Sequence, residues 1–104
     1  MPLKKTDMLN KNSDFLKKLQ DIHSLSKKVN ENDKKIHAQK LLEMIEHHAA
    51  EIKQLQKENN DHFLTETGDL IILCMELLVE YNCPVDQILL KCIKRFEKKL
   101  NSLT

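Results

Sequence analysis

Residues 70–79, Leu-Ile-Ile-Leu-Cys-Met-Glu-Leu-Leu-Val, are apolar on nearly every side of any helix they could form. Such a helix has no wet face, so it must lie centrally in the fold or in a subunit interface. It opens on Glu66-Thr67-Gly68-Asp69-Leu70, a Glu-x-x-Asp pattern. Residues three apart share a helix face, so both carboxylates point the same way. Two acids at the mouth of a buried segment repel each other and lose hydration. A cation or a basic partner would resolve that conflict. The plainer alternative puts both acids in the first turn, facing solvent and favoured by the helix dipole.

The remaining composition points to an all-α chain. There are one Gly, two Pro and few β-branched runs in 104 residues, enough for one domain with a modest core. The net charge of +1 gives no pull toward nucleic acid or anionic membrane, and no aromatic platform for stacking bases is present. No apolar run approaches the ~18 residues of a membrane span. The start, Met1-Pro2-Leu3-Lys4-Lys5, lacks the apolar core of a signal peptide. Three cysteines, Cys74, Cys83 and Cys92, read as reduced core thiols of a cytoplasmic protein, without zinc-ligand spacing.

Periodicity divides the chain into four helices. Residues 1–12 are polar and lysine-rich and read as a flexible tail before a helical domain over 13–104. Ser13 is placed to cap a first helix over 13–29, whose apolar row is Phe15, Leu19, Ile22, Ser26 and Val29, with Leu16 and Leu25 beside it. The polar break Asn30-Glu31-Asn32-Asp33 precedes a second helix over 34–58 with the seam Ala38, Leu41, Ile45, His48, Ile52 and Leu55. The oily third helix is predicted over 61–82. Pro84 opens a fourth over 84–101, packing Val85, Ile88, Leu89, Cys92, Ile93 and Phe96. Short connections between four helices predict a four-helix bundle.

Two of these helices aim polar residues inward: His48 and Glu51 on the second, Glu66 and Asp69 on the third. Short connections make the helices antiparallel neighbours, so the two i, i+3 pairs can face each other. Carboxylate pairs on facing helices are how a bundle holds a metal. A hard divalent cation takes several carboxylate oxygens and keeps waters for a phosphate. Such a site can orient a water for attack on a phosphoryl group.

With these residues in place, the chain resembles the MazG-like, all-α nucleoside triphosphate pyrophosphohydrolases. Their signature is Glu-Glu-x-x-Glu on one helix and Glu-x-x-Asp on the next. Glu66-Thr67-Gly68-Asp69-Leu70 matches the second half, and the first half falls on His47-His48-Ala49-Ala50-Glu51. Lys94-Arg95-Phe96-Glu97-Lys98-Lys99 is similar to the family's basic ending. The resemblance covers residues 13 to 101. It implies hydrolysis of a nucleoside or deoxynucleoside triphosphate to monophosphate and pyrophosphate, dependent on Mg2+ or Mn2+, in a homodimer or homotetramer. Glu51, Glu66, Asp69 and His48 would hold the metal, with His48 and Glu51 as the catalytic pair and Lys94, Arg95 and Lys98 as weaker candidates for phosphate contact.

The chain also departs from the family. Histidines 47 and 48 replace two glutamates, and imidazole suits manganese, zinc or iron better than magnesium. Ile93 stands where the family carries an Asn. A frame using Glu43 and Glu46 restores two acids but loses the small residues and the apolar position that follow. Without a metal, His48 would be a neutral core histidine bonded to Glu51 or Glu66. A further reading keeps the bundle but not the catalysis, as an oligomeric nucleotide-binding or protein-interaction module. His23, His37 and His62 read as scattered and exposed, and Glu76 and Glu80 as partly exposed or interface charges.

Overall fold

The computed structural model describes the backbone of residues 5–104 and the side chains of residues 14–104. Every regular element among them is an α-helix: α1 (Lys5–Val29), α2 (Lys34–Lys57), α3 (Phe63–Glu80) and α4 (Val85–Leu103). The second to fourth helices lie within two residues of their predicted bounds. The first begins earlier than expected: Lys5 onward belongs to α1, so the helix already runs through Ser13. Residues 1–4 of the predicted tail, and the side chain of Ser13, lie outside the described residues. Among the described residues, no helix is long and apolar enough to cross a membrane.

The helix boundaries follow from local chemistry. Asp33 is the N-cap of α2, its carboxylate accepting from the Ile36 amide at 2.9 Å. The turns at the ends of α1, α2 and α3 place Glu31, Asn32, Asn59 and Asn82 at positive φ. Asparagine tolerates that left-handed conformation better than most residues, which suits three of the four positions. Pro84 stands just before α4, and its carbonyl accepts the first intrahelical bond from Ile88 N at 3.1 Å. It is the cap rather than the first helical residue.

α3 is central, as its composition requires. It packs along α2 and also touches α1 and α4. On α2 the predicted seam is the inward side: Ala38 and Leu41 are buried, and Ile45, His48, Ile52 and Leu55 are half-buried. His37, near the start of α2, meets Glu76 near the end of α3, and His48, further along α2, meets Glu66 near the start of α3. That reversed order makes the two helices antiparallel.

α1 is turned from its predicted face. Leu19 and His23 are buried, with Ser26, Lys27 and Asn30 half-buried, while Phe15, Leu16, Ile22, Leu25 and Val29 are exposed. The cause lies on α3, where Glu76 and Glu80 are buried, contrary to their expected exposure. Two buried carboxylates need partners more than the apolar row of α1 needs cover. α1 supplies them from its polar side.

α4 departs similarly. Val85 is buried and Ile88 and Cys92 are half-buried, but Leu89, Ile93 and Phe96, expected to pack, are exposed along with Leu100 and Leu103. The Cα radius of gyration is 16.5 Å, against about 13 Å for a compact chain of this length. The bundle is therefore open: a three-helix core with α4 leaning on α3. Cys74, expected in the core, is exposed, and all three cysteines are free thiols.

These burial patterns predict unequal costs for truncating apolar residues. Leu41→Ala, at a fully buried site, is expected to cost about 2–5 kcal/mol in urea unfolding of dilute protein. Val29→Ala, at a residue 83% exposed, is expected to stay within about 0.5 kcal/mol. Equal losses at the two sites would contradict the orientation of α1.

Candidate functional site

The α2–α3 seam brings His48, Glu66 and Asp69 together. One possible ligand atom from each lies within 4.8 Å of the others. Nε2 of His48 is 3.4 Å from Oε2 of Glu66 and 4.0 Å from Oδ2 of Asp69. On the other side of the ring, Nδ1 donates to the Met44 carbonyl at 2.9 Å, one turn back on α2. That bond places the Nδ1 proton away from the acids and aims Nε2 at them, the arrangement of a metal-ligating imidazole held by its other nitrogen.

Glu66 sits deepest of the three, and its Oε2 is sealed from solvent without a hydrogen-bond donor. A buried acceptor left unpaired costs on the order of 1–3 kcal/mol, and the 3.4 Å gap to His48 exceeds normal hydrogen-bond length. A cation between Glu66, Asp69 and His48 would answer this orphaned oxygen. One nitrogen and two carboxylates suit Mn2+, Fe2+ or Zn2+ better than Mg2+.

Of the predicted ligands, Glu51 is not a member of this cluster. Its Oε1 lies 3.4 Å from Nε2 of His47, one turn back on the same helix and largely in solvent. His62 takes a place that sequence reasoning missed. Its ring is exposed, as expected, but its Nε2 is 3.4 Å from the other Glu66 oxygen. The signal was present, since His62 precedes Glu66 by four residues at the helix entry. Arg95 and Lys98 line a separate groove on α4 with Cys92, Phe96, Lys99 and Ser102. Neither they nor Lys94 pair with the His48–Glu66–Asp69 cluster.

Three turns along the same stripe of α2 lies a second polar cluster. His37, Glu76, Glu80 and His23 are 0%, 3%, 4% and 8% exposed, so both histidines correct the expectation of scattered surface residues. Glu80 meets two groups from α1: Nε2 of His23 is 2.8 Å from Oε2, and Nζ of Lys27 is 3.1 Å from Oε1. Ser26 donates to Oε1 of Glu76 at 2.5 Å. Burial pushes His37 below the ordinary imidazole range. The neighbouring His23 pushes the same way, and Glu80 and Glu76 oppose it. Sequence periodicity could not find this cluster, because its members come from three helices and only Glu76 and Glu80 are neighbours along the chain.

Comparison of the chain with protein-family models, with curated proteins and with solved structures returns no match. The resemblance to the pyrophosphohydrolases therefore rests on the residues themselves. Gly68, inside that motif, bears on stability alone. A Cβ added there would meet nothing within 4 Å, and its φ is not positive. Gly68→Ala is expected to stabilise the isolated chain by about 0.5–1 kcal/mol through helix propensity, read by thermal or urea unfolding. A destabilised variant would mean that another surface closes over this position.

Proposed function

We propose that the chain is a divalent-metal-dependent nucleotide pyrophosphohydrolase of the MazG-like type, cleaving a nucleoside or deoxynucleoside triphosphate to monophosphate and pyrophosphate. The observation that carries this reading is the convergence of His48, Glu66 and Asp69 across α2 and α3, with a buried Glu66 oxygen lacking a donor. Glu66, Asp69 and His48 would hold the metal, and Glu51 would join them by turning from His47. The cation supplies Lewis-acid stabilisation of phosphoryl charge. His48 is oriented by its bond to the Met44 carbonyl. Lys94, Arg95 and Lys98 are the cations available to a triphosphate on α4.

The reading includes a homo-oligomer. Among the described residues, the apolar rows of α1 (Phe15, Ile22, Leu25) and α4 (Leu89, Ile93, Phe96, Leu100) are exposed, and contiguous exposed apolar surface marks an interface. A second copy covering α4 would also bring a basic helix end to each subunit. The three free thiols fit a reducing cytoplasm.

A second reading has a specific observation behind it. Glu51 is turned to His47, and Ile93 offers no hydrogen bond where the family carries an amide. On this reading the bundle is an oligomeric nucleotide-binding or interaction module without turnover.

Pyrophosphate release from a panel of ribo- and deoxynucleoside triphosphates, with Mg2+ and Mn2+ side by side, separates the two. Turnover that is faster with Mn2+ is expected if His48 is a ligand. Asp69→Ala should abolish it while helical circular dichroism is unchanged; undiminished turnover would remove the site assignment, and no release with any triphosphate would favour the second reading. Separately, Phe96→Glu is expected to shift the particle toward the monomer in size-exclusion chromatography with light scattering. An unchanged mass would show that α4 is not the interface.

A further inference from the structure

We infer that the buried cluster of His23, His37 and Glu76 is a second metal site, taking a zinc-class divalent transition metal that clamps α1, α2 and α3 together. Nδ1 of His23 is 3.4 Å from Nε2 of His37 and 3.8 Å from Oε1 of Glu76. All three atoms lie within 4.8 Å of one another. Ligands at ~2.0–2.1 Å in a tetrahedron stand about 3.3–3.4 Å apart, so the His23–His37 pair already has that spacing, and Glu76 would have to move inward to reach it. Two imidazole nitrogens and one carboxylate, with a fourth position for water, are a common zinc donor set.

The surroundings are those that a metal site needs. If His23 binds through Nδ1, its Nε2 lies 2.8 Å from Oε2 of Glu80, and Nζ of Lys27 lies 3.1 Å from the other Glu80 oxygen. Such a carboxylate behind a ligating histidine fixes the ring and its tautomer. Nδ2 of Asn30 lies 2.9 Å from Nδ1 of His37 and donates to it; for His37 to bind a metal through Nε2 the Asn30 amide would turn over, so that its oxygen accepts a proton on Nδ1. Ser26 fixes Glu76.

The charge count points the same way. Glu76 and Glu80 bring two negative charges into the protein, Lys27 returns one positive charge, and neutral histidines return none. Buried charge left unbalanced is costly, and a bound cation would remove the imbalance. The alternative is a proton on His23, which makes the cluster an ion-pair network without a metal. A polar cleft lined by Lys27, Asn32, Lys34 and Asn82 reaches His23 and Glu80, on one side of the cluster. The inference is independent of the nucleotide reading, since it shares no residue with the His48–Glu66–Asp69 cluster.

The test is titration of chelator-stripped full-length protein with Co2+ and Zn2+. We expect a tightly held equivalent showing the visible absorption of four-coordinate Co2+, displaced by Zn2+, and a higher melting temperature with Zn2+. This signal should survive Asp69→Ala and vanish in His37→Gln. Glu80→Gln should weaken it by about 10–100-fold. Should His37→Gln fail to fold, imidazole 15N shifts of the wild-type protein decide, because Zn2+ must move Nδ1 of His23 and Nε2 of His37. No Zn2+-dependent change at those nitrogens, or a Co2+ signal lost with Asp69→Ala and kept in His37→Gln, would overturn the proposal.

Discussion

The architecture depends on two carboxylates buried in an otherwise oily helix. Glu76 and Glu80 lie on the inward face of α3, where an unpaired charge would be prohibitive. Their partners come from α1: His23 and Lys27 on Glu80, Ser26 on Glu76. Satisfying them fixes the rotation of α1 about its own axis. A rotation that buried Phe15, Ile22 and Leu25 instead would carry His23 and Lys27 away from Glu80. The apolar gain of burying such side chains is about 1.5–3 kcal/mol each, while breaking a buried charge pair costs about 3–5 kcal/mol. The two sums are of similar size, and the structure keeps Glu80 and Glu76 partnered rather than the apolar row covered.

That trade leaves apolar surface on the outside. α1 turns its apolar row to solvent, and α4, which packs on α3, does the same with Leu89, Ile93 and Phe96. The large radius of gyration expresses the same fact in overall dimensions. The interior that one chain encloses is largely polar at one end of the α2–α3 seam and apolar in the middle, around Leu41 and Leu73.

What could be read from the sequence was what depends on neighbours along the chain. The seam of α2 follows from three- and four-residue spacing, and it turns His48 inward, with Glu51 or Glu66 as its neighbour. Asp33 and the asparagines at the turns declared the helix ends. The rotation of α1 was not legible, because periodicity identifies an apolar row but cannot weigh it against carboxylates fifty residues away. His23 and His37 looked incidental for the same reason. Each gains its meaning from Glu76 and Glu80, and only the antiparallel pairing of α2 with α3, with α1 laid across, brings them within reach. Glu51 shows the converse limit: a spacing that permits a residue to join a site does not make it turn there.

The two polar clusters also constrain each other through helix register. His37 and His48 are eleven residues apart, close to three turns, so they lie on one stripe of α2 about 16 Å apart. Their partners on α3, Glu76 and Glu66, are separated by ten residues in the opposite sense. A slip of α2 along α3 by one turn, about 5.4 Å, would break both pairings together and put Leu41 opposite a carboxylate. The His23–His37–Glu76 cluster, closed on three sides and joined to α1, is the more tightly held end. It sets the register that carries His48 to Glu66, so the geometry of the candidate site at the open end of the seam is inherited from buried charge at the closed end.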